Sequence, residues 1–169
     1  NGDSLQGQPT VYYYNFVATN EPHIWSEVLN YMNYDAVGVG NHDVEAGHNV
    51  YDKIVKEIKA PLICANLVDE KTKNPYFKPY TIIEKNNLKI AILGLIEPAI
   101  DRQLPKVLYE GLAVEDMVES AKKWIKIIKQ KENPDIVIGL FHAGANYTEE
   151  KETFKNENAS QLVAEQVDG

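Results

Sequence analysis

Four apolar runs constrain this chain more than any other feature: residues 34–39, 61–67, 88–96 and 136–140, each dense in Val, Ile, Leu or Ala. Runs of that length, bounded by turn residues, read as strands buried on both faces, which needs a sheet covered on both sides. Between them the apolar residues switch to a helical period. Trp25, Val28, Leu29 and Met32 predict a helix over 22–33, with Pro22 suited to its first turn. Val50, Ile54 and Ile58 predict one over 49–59. Met117, Val118, Ala121, Trp124, Ile125 and Ile128 predict the strongest, over 114–131, and a shorter one is expected over 158–167. Residues 80–84 and 88–96 read as a hairpin turning at Lys85-Asn86-Asn87, and 69–79 as a polar excursion. Alternating strands and helices with one hairpin predict a mixed α/β layer structure.

Composition narrows the function classes. A chain of 169 residues that is 44% hydrophobic has material for one sizeable core and reads as one domain. The lone cysteine, Cys64, forms no internal disulfide and reads as a small buried side chain. The formal charge is −8, from 17 basic and 25 acidic residues, and Arg102 is the sole arginine. No basic block appears, which argues against a nucleic-acid polymer as partner. A phosphate-handling site is compatible with such a charge if metal ions supply the cationic part. No run is long and apolar enough for a membrane span. The opening Asn1-Gly2-Asp3-Ser4-Leu5-Gln6-Gly7 has no basic or apolar leader segment, and Glu165 to Gly169 ends abruptly. Both ends are expected to be cuts within a longer protein.

Ligand-type residues recur just beyond the apolar runs. Asp3 sits in the opening block, Asn41 and His42 follow the run ending at Val39, and His142 follows the run ending at Leu140. Loops at the carboxyl ends of parallel strands share one edge of a sheet, so these residues are expected to meet in a crevice. Carboxylate, amide oxygen and imidazole together suit a divalent transition metal. Asp3 is the natural bridge between two ions, and His42 is the candidate for a histidine that stabilises charge without binding metal. The same residues also suit a polar turn at Gly40-Asn41-His42-Asp43, a hydrogen-bonded core histidine at 142 and a frayed Asp3. His23 and His48 read as helix-capping or helix-decorating residues.

At these positions the chain resembles the calcineurin-like metallophosphoesterases, and within them the group of 5'-nucleotidases and 2',3'-cyclic-nucleotide 2'-phosphodiesterases. Asn1-Gly2-Asp3 running into Gln6-Gly7, Gly40-Asn41-His42-Asp43 and Phe141-His142-Ala143-Gly144 are the ordered blocks that carry the likeness. Ala65-Asn66-Leu67 and Leu93-Gly94-Leu95-Ile96-Glu97 add to it. The resemblance implies a four-layer α-β-β-α sandwich, incomplete here. It implies that residues 1–169 are the interior of one catalytic domain, without the family's C-terminal substrate-binding domain. It further implies two divalent ions (Mn, Zn, Fe or Co), bridged by Asp3, with Asn41 and His142 on one ion. His42 would stabilise the transition state, held and polarised by Asp43.

Two blocks of the family are absent. An Asp-x-His block is expected before Asn1 and a Gly-His-x-His block after Gly169, so the 169 residues alone are expected to be inactive. Asn156-Glu157-Asn158-Ala159-Ser160 leans toward the cyclic-phosphodiesterase and 3'-nucleotidase branch, with a nucleotide or cyclic nucleotide as substrate. 5'-nucleotidase or UDP-sugar hydrolase is the alternative, as is a sulfur-compound hydrolase, or a non-catalytic binding module on the same fold. The resemblance also implies a periplasmic, extracellular or cell-surface location. The lack of a Gly-x-Gly-x-x-Gly run argues against a dinucleotide-binding domain.

Overall fold

The computed structural model describes residues 2–145 and 158–167. Asn1, and Asn156 and Glu157 of the segment that leans toward the cyclic-phosphodiesterase branch, lie outside the described residues. In chain order the elements are α1 (Pro9–Phe16), α2 (Ile24–Met32), β1 (Val37–Gly38), α3 (Asn41–Glu45), α4 (His48–Glu57), β2 (Leu62–Ile63) and β3 (Leu67–Asp69). Then come β4 (Tyr80–Lys85), β5 (Leu88–Ile96), α5 (Ile100–Gln103), a 3-10 turn (Lys106–Tyr109), β6 (Leu112–Val114), α6 (Met117–Glu132), β7 (Ile136–His142) and α7 (Ser160–Ala164).

The expected mixed α/β architecture is present. β1 and β2 pair in parallel, β3 and β6 antiparallel, and β5 lies between β4 (antiparallel) and β7 (parallel). The hairpin turns where the sequence predicted. Asn86 and Asn87 both take left-handed φ, 54° and 66°, which matches the twist of the flanking strands. β5 is buried on both faces. Ala91, Leu93 and Leu95 pack on Met117, Ala121, Ile125 and Ile128 of α6. Ile96 joins Val37, Leu62, Cys64, Leu29 of α2 and Tyr51 of α4 in a second cluster. Sheets thus lie between α6 on one side and α2 and α4 on the other. At Gly94 a Cβ would run into the Ile63 carbonyl, so glycine lets two backbones approach closely enough for Ala65 N–H to reach Gly94 O at 2.8 Å.

α6 starts where Asp116 accepts from the Val118 and Glu119 N–H groups and stops at Asn133, left-handed with φ 47°. Asp135 then fixes the start of β7. Its carboxylate accepts from Lys89 N–H at 2.7 Å while its own N–H reaches Lys89 O at 2.8 Å.

Three expectations change. The 61–67 run is broken because buried Asn66 replaces a ladder partner with its side chain. Its Oδ1 accepts from Ile96 N–H (2.9 Å) and its Nδ2 donates to Ile96 O (2.7 Å) and Glu115 O (3.1 Å). Residues 112–114, read as loop and helix start, form β6 against β3. Of the α2 stripe, Leu29 is buried and Trp25 partly so, whereas Val28 and Met32 face solvent. α1 was not expected at all; its Tyr12, Tyr13 and Phe16 are exposed, leaving no apolar stripe to read.

Candidate metal centre

Segment 2–5, the start of α3 and the end of β7 converge, although 39 and 101 residues separate the paired groups. Asp43 builds the base of the site. It is only 2% exposed, and its carboxylate accepts four backbone N–H groups: Ser4 (2.7 Å) and Leu5 (2.9 Å) on Oδ1, Asp3 (2.9 Å) and Gly40 (2.8 Å) on Oδ2. Burial pushes the Asp43 carboxyl up, and the four N–H groups oppose that shift. Leu5 is held from its other side. Its carbonyl accepts from Asn15 Nδ2 (2.7 Å), Asn15 Oδ1 contacts His23 Nε2 (2.8 Å), and His23 Nδ1 accepts from Trp25 N–H (3.1 Å). The Trp25 bond leaves Nδ1 unprotonated, so the proton sits on Nε2 and goes to Asn15. Burial, with Lys53 nearby, holds His23 below its ordinary value, against the pull of Glu57.

This framework holds Asp3 in a left-handed conformation, φ 59°, with its carboxylate between the start of α3 and the end of β7. Oδ1 accepts from His42 N–H (3.0 Å) and Oδ2 lies 3.1 Å from His142 Nε2. His142 Nε2 is also 3.1 Å from Asn41 Oδ1, and Asn41 Nδ2 donates to Gln103 Oε1 at 2.9 Å. Two glycines make room: a Cβ on Gly2 would come within 2.7 Å of His142 Nδ1, and one on Gly40 would strike Asp3. An open cavity of about 440 Å³ lies over the cluster, lined in part by Gly2, Asn41, Glu97, Gln103 and His142. A second cavity of about 470 Å³, walled by Ile58, Pro61 and Phe77, sits at the amino end of β2 and gathers no comparable donors.

The donors fit a transition-metal ion. A carboxylate oxygen of Asp3 and the amide oxygen of Asn41 each lie 3.1 Å from the imidazole nitrogen of His142, in a cradle that a Cβ on Gly2 or Gly40 would fill. Among the described residues no group of three His, Cys, Asp or Glu side chains is placed to hold a metal, since one of the three donors here is an amide. Three donors fall short of a full coordination shell.

His42 and Asp43 are placed differently from the expectation. Asp43 does not hold the His42 ring, because its oxygens are taken by four main-chain N–H groups. The ring instead bonds through Nδ1 to Glu45 Oε2, which also accepts from Gln6 Nε2 at 2.9 Å. Sequence reasoning missed Glu45; the signal was its i,i+3 spacing from His42, readable only once 41–45 is known to be helical. It also missed Gln103. His23 caps α2, and His48 opens α4 and reaches Glu110 O at 3.0 Å, both consistent with helix-end roles.

No family model matches the chain. Over 157 residues, 85% of its length, it is 34% identical to a 2',3'-cyclic-nucleotide 2'-phosphodiesterase/3'-nucleotidase of Haemophilus influenzae, and it spans 23% of that protein. Over 116 residues it is 33% identical to a 5'-nucleotidase of Vibrio cholerae, spanning 21% of it. The chain therefore spans under a quarter of the length of these curated relatives. The structure superposes over its whole length on the calcineurin-like phosphoesterase YfkN from Bacillus subtilis, with a TM-score of 0.85, 28% identity and 54% of that chain covered. Fold and relatives agree with the blocks around Asp3, Asn41 and His142: the chain belongs to the calcineurin-like phosphoesterases, and its curated relatives include proteins named as nucleotidases and cyclic-nucleotide phosphodiesterases.

Proposed function

We propose that the protein is a metal-dependent phosphoester hydrolase acting on nucleotides, with 2',3'-cyclic nucleotides and 3'-nucleotides as preferred substrates. The observation that carries this reading is the meeting of Asp3, Asn41 and His142 at 3.1 Å contacts beneath an open cavity. A relative named for both activities at 34% identity supports the choice of branch. Residues 1–169 are then the interior of one catalytic domain, completed by ligands from flanking sequence and by a separate substrate-binding domain. The 169 residues alone are inactive, and the parent works outside the cytoplasm.

Two divalent ions would supply Lewis acidity and an activated water at neutral pH. Asp3 through its carboxylate, as the bridging ligand, with Asn41 and His142 through an amide oxygen and an imidazole nitrogen, would hold them. Asp43 fixes the position of Asp3 through the main chain. His42 carries charge stabilisation. Its Nδ1 is bonded to Glu45, which fixes the ring and leaves Nε2 for a phosphoryl oxygen.

The test is the full-length protein assayed with Mn²⁺ on 2',3'-cyclic AMP, 3'-AMP and 5'-AMP. We expect faster turnover of the first two, loss on chelation, and a fall in kcat/KM of more than ~100-fold in Asp3→Asn. Turnover indifferent to both chelator and Asp3→Asn defeats the reading. A second reading, 5'-nucleotidase, is favoured by the 33% identity to the Vibrio cholerae enzyme, and equal or faster hydrolysis of 5'-AMP selects it.

A further inference from the structure

Asn41 can contribute to a metal centre only through its oxygen, yet its amide has two faces of the same shape. Which face meets His142 is settled by the groups around it. Asn41 Oδ1 and Asp3 Oδ2 each lie 3.1 Å from His142 Nε2, so the amide turns its oxygen toward the ring and its NH₂ away. The NH₂ meets Gln103, whose Oε1 accepts at 2.9 Å. With Gln103 presenting Oε1, a turned-over Asn41 amide would set oxygen against oxygen, so this contact favours the orientation with the Asn41 oxygen toward His142.

Gln103 is fastened to the same strand end that delivers His142. It closes α5, and its N–H reaches Ala99 O at 3.2 Å. Ala99 N–H donates to the buried Glu97 carboxylate at 2.7 Å, and Glu97 N–H donates to His142 O at 2.7 Å. A short path of main-chain and carboxylate bonds therefore runs from His142 through Glu97 and α5 to Gln103, and back across the cavity to Asn41. Gln103 itself is exposed, so its side chain contributes nothing to the core.

We propose that Gln103 is a positioning residue that fixes the Asn41 amide with its oxygen toward Asp3 and His142, and thereby sets the affinity of the centre for its ion. The inference rests on the metal-site reading of those three donors. Its test compares wild type with Gln103→Met, which keeps the length and removes the acceptor, and with Gln103→Glu, which keeps an acceptor and cannot donate. Mn²⁺ affinity of the full-length protein is read by electron paramagnetic resonance. The Asn41 side-chain NH₂ is read by NMR in the metal-free protein, where hydrogen bonding slows its exchange with water.

We expect Gln103→Met to weaken Mn²⁺ binding by about 5- to 10-fold and to speed NH₂ exchange, and Gln103→Glu to restore slow exchange with affinity no worse than wild type. Asn41→Ala separates the two ideas. If it leaves Mn²⁺ affinity unchanged, the metal-site reading falls. If it weakens binding while Gln103→Met changes neither affinity nor NH₂ exchange, Gln103 has no positioning role and the metal-site reading stands. Slow NH₂ exchange in Gln103→Met, or failure of Gln103→Glu to restore it, also overturns the inference.

Discussion

Asp43 gathers four main-chain N–H groups from two segments onto one buried carboxylate, a task that needs two oxygens that only accept. Asp43→Asn keeps the shape but turns one oxygen into an NH₂ that faces donors. Two N–H groups lose their acceptor, at about 1–3 kcal/mol each, so urea unfolding should show a loss of about 2–6 kcal/mol. Cys64 offers a second case of burial, its thiol donating to Asn66 Oδ1 at 3.6 Å. It is fully enclosed, and burial pushes its thiol up to about 12, so it stays protonated at pH 8. An aromatic disulfide reagent should label the folded protein no faster than it unfolds; prompt labelling in native buffer contradicts the burial. These residues also mark what was legible. Asp3, Asn41, His42 and His142 stood out as polar residues beyond apolar runs. The task of Asp43 did not, because three of its four donors lie 38 to 40 residues away in sequence and are main-chain groups with no side-chain signature.

At the scale of elements, legibility followed periodicity. α6 and the β4–β5 hairpin were readable because their apolar faces are covered by one neighbour with one period. α1 was not, since it buries little, and β3 and β6 were not, since each is a three-residue strand that only its partner defines. The cap of α6 is testable alone: Asp116→Ala removes the acceptor for two N–H groups and should cost about 1 kcal/mol in thermal or urea unfolding. The joint between segment 2–5, α1 and α2 depends on pH. His23 is held neutral below its ordinary 6.5, so the unfolded chain binds more protons as pH falls through that value. The stabilisation is complete above pH 6.5 and is lost as pH falls from there toward the folded-state value. Urea midpoints between pH 5 and 8 should show that slope, and His23→Gln should flatten it.

Across the whole molecule, β5 is the organising element. It is hydrogen-bonded to a strand on each side and covered on both faces, so its central amides open only with global unfolding. Hydrogen exchange should be slowest at Ala91, Leu93 and Leu95. Exchange as fast there as in α1 would show that the sheet is not the last part to open. The candidate donors sit at the periphery of this core, on the end of β7, on the first turn of α3 and on a segment fastened by Asp43 and Asn15. That distribution ties the protein's durability to its medium. Three donors drawn from such distant parts of the chain meet only when it is folded, so an ion they hold binds the folded form and not the unfolded one. By mass action, free ion at a hundred times its dissociation constant adds about 2.7 kcal/mol to the unfolding free energy, and a chelator removes it. If the three donors hold an ion as proposed, the ion supply of the surroundings helps decide how long the protein lasts, independently of any substrate.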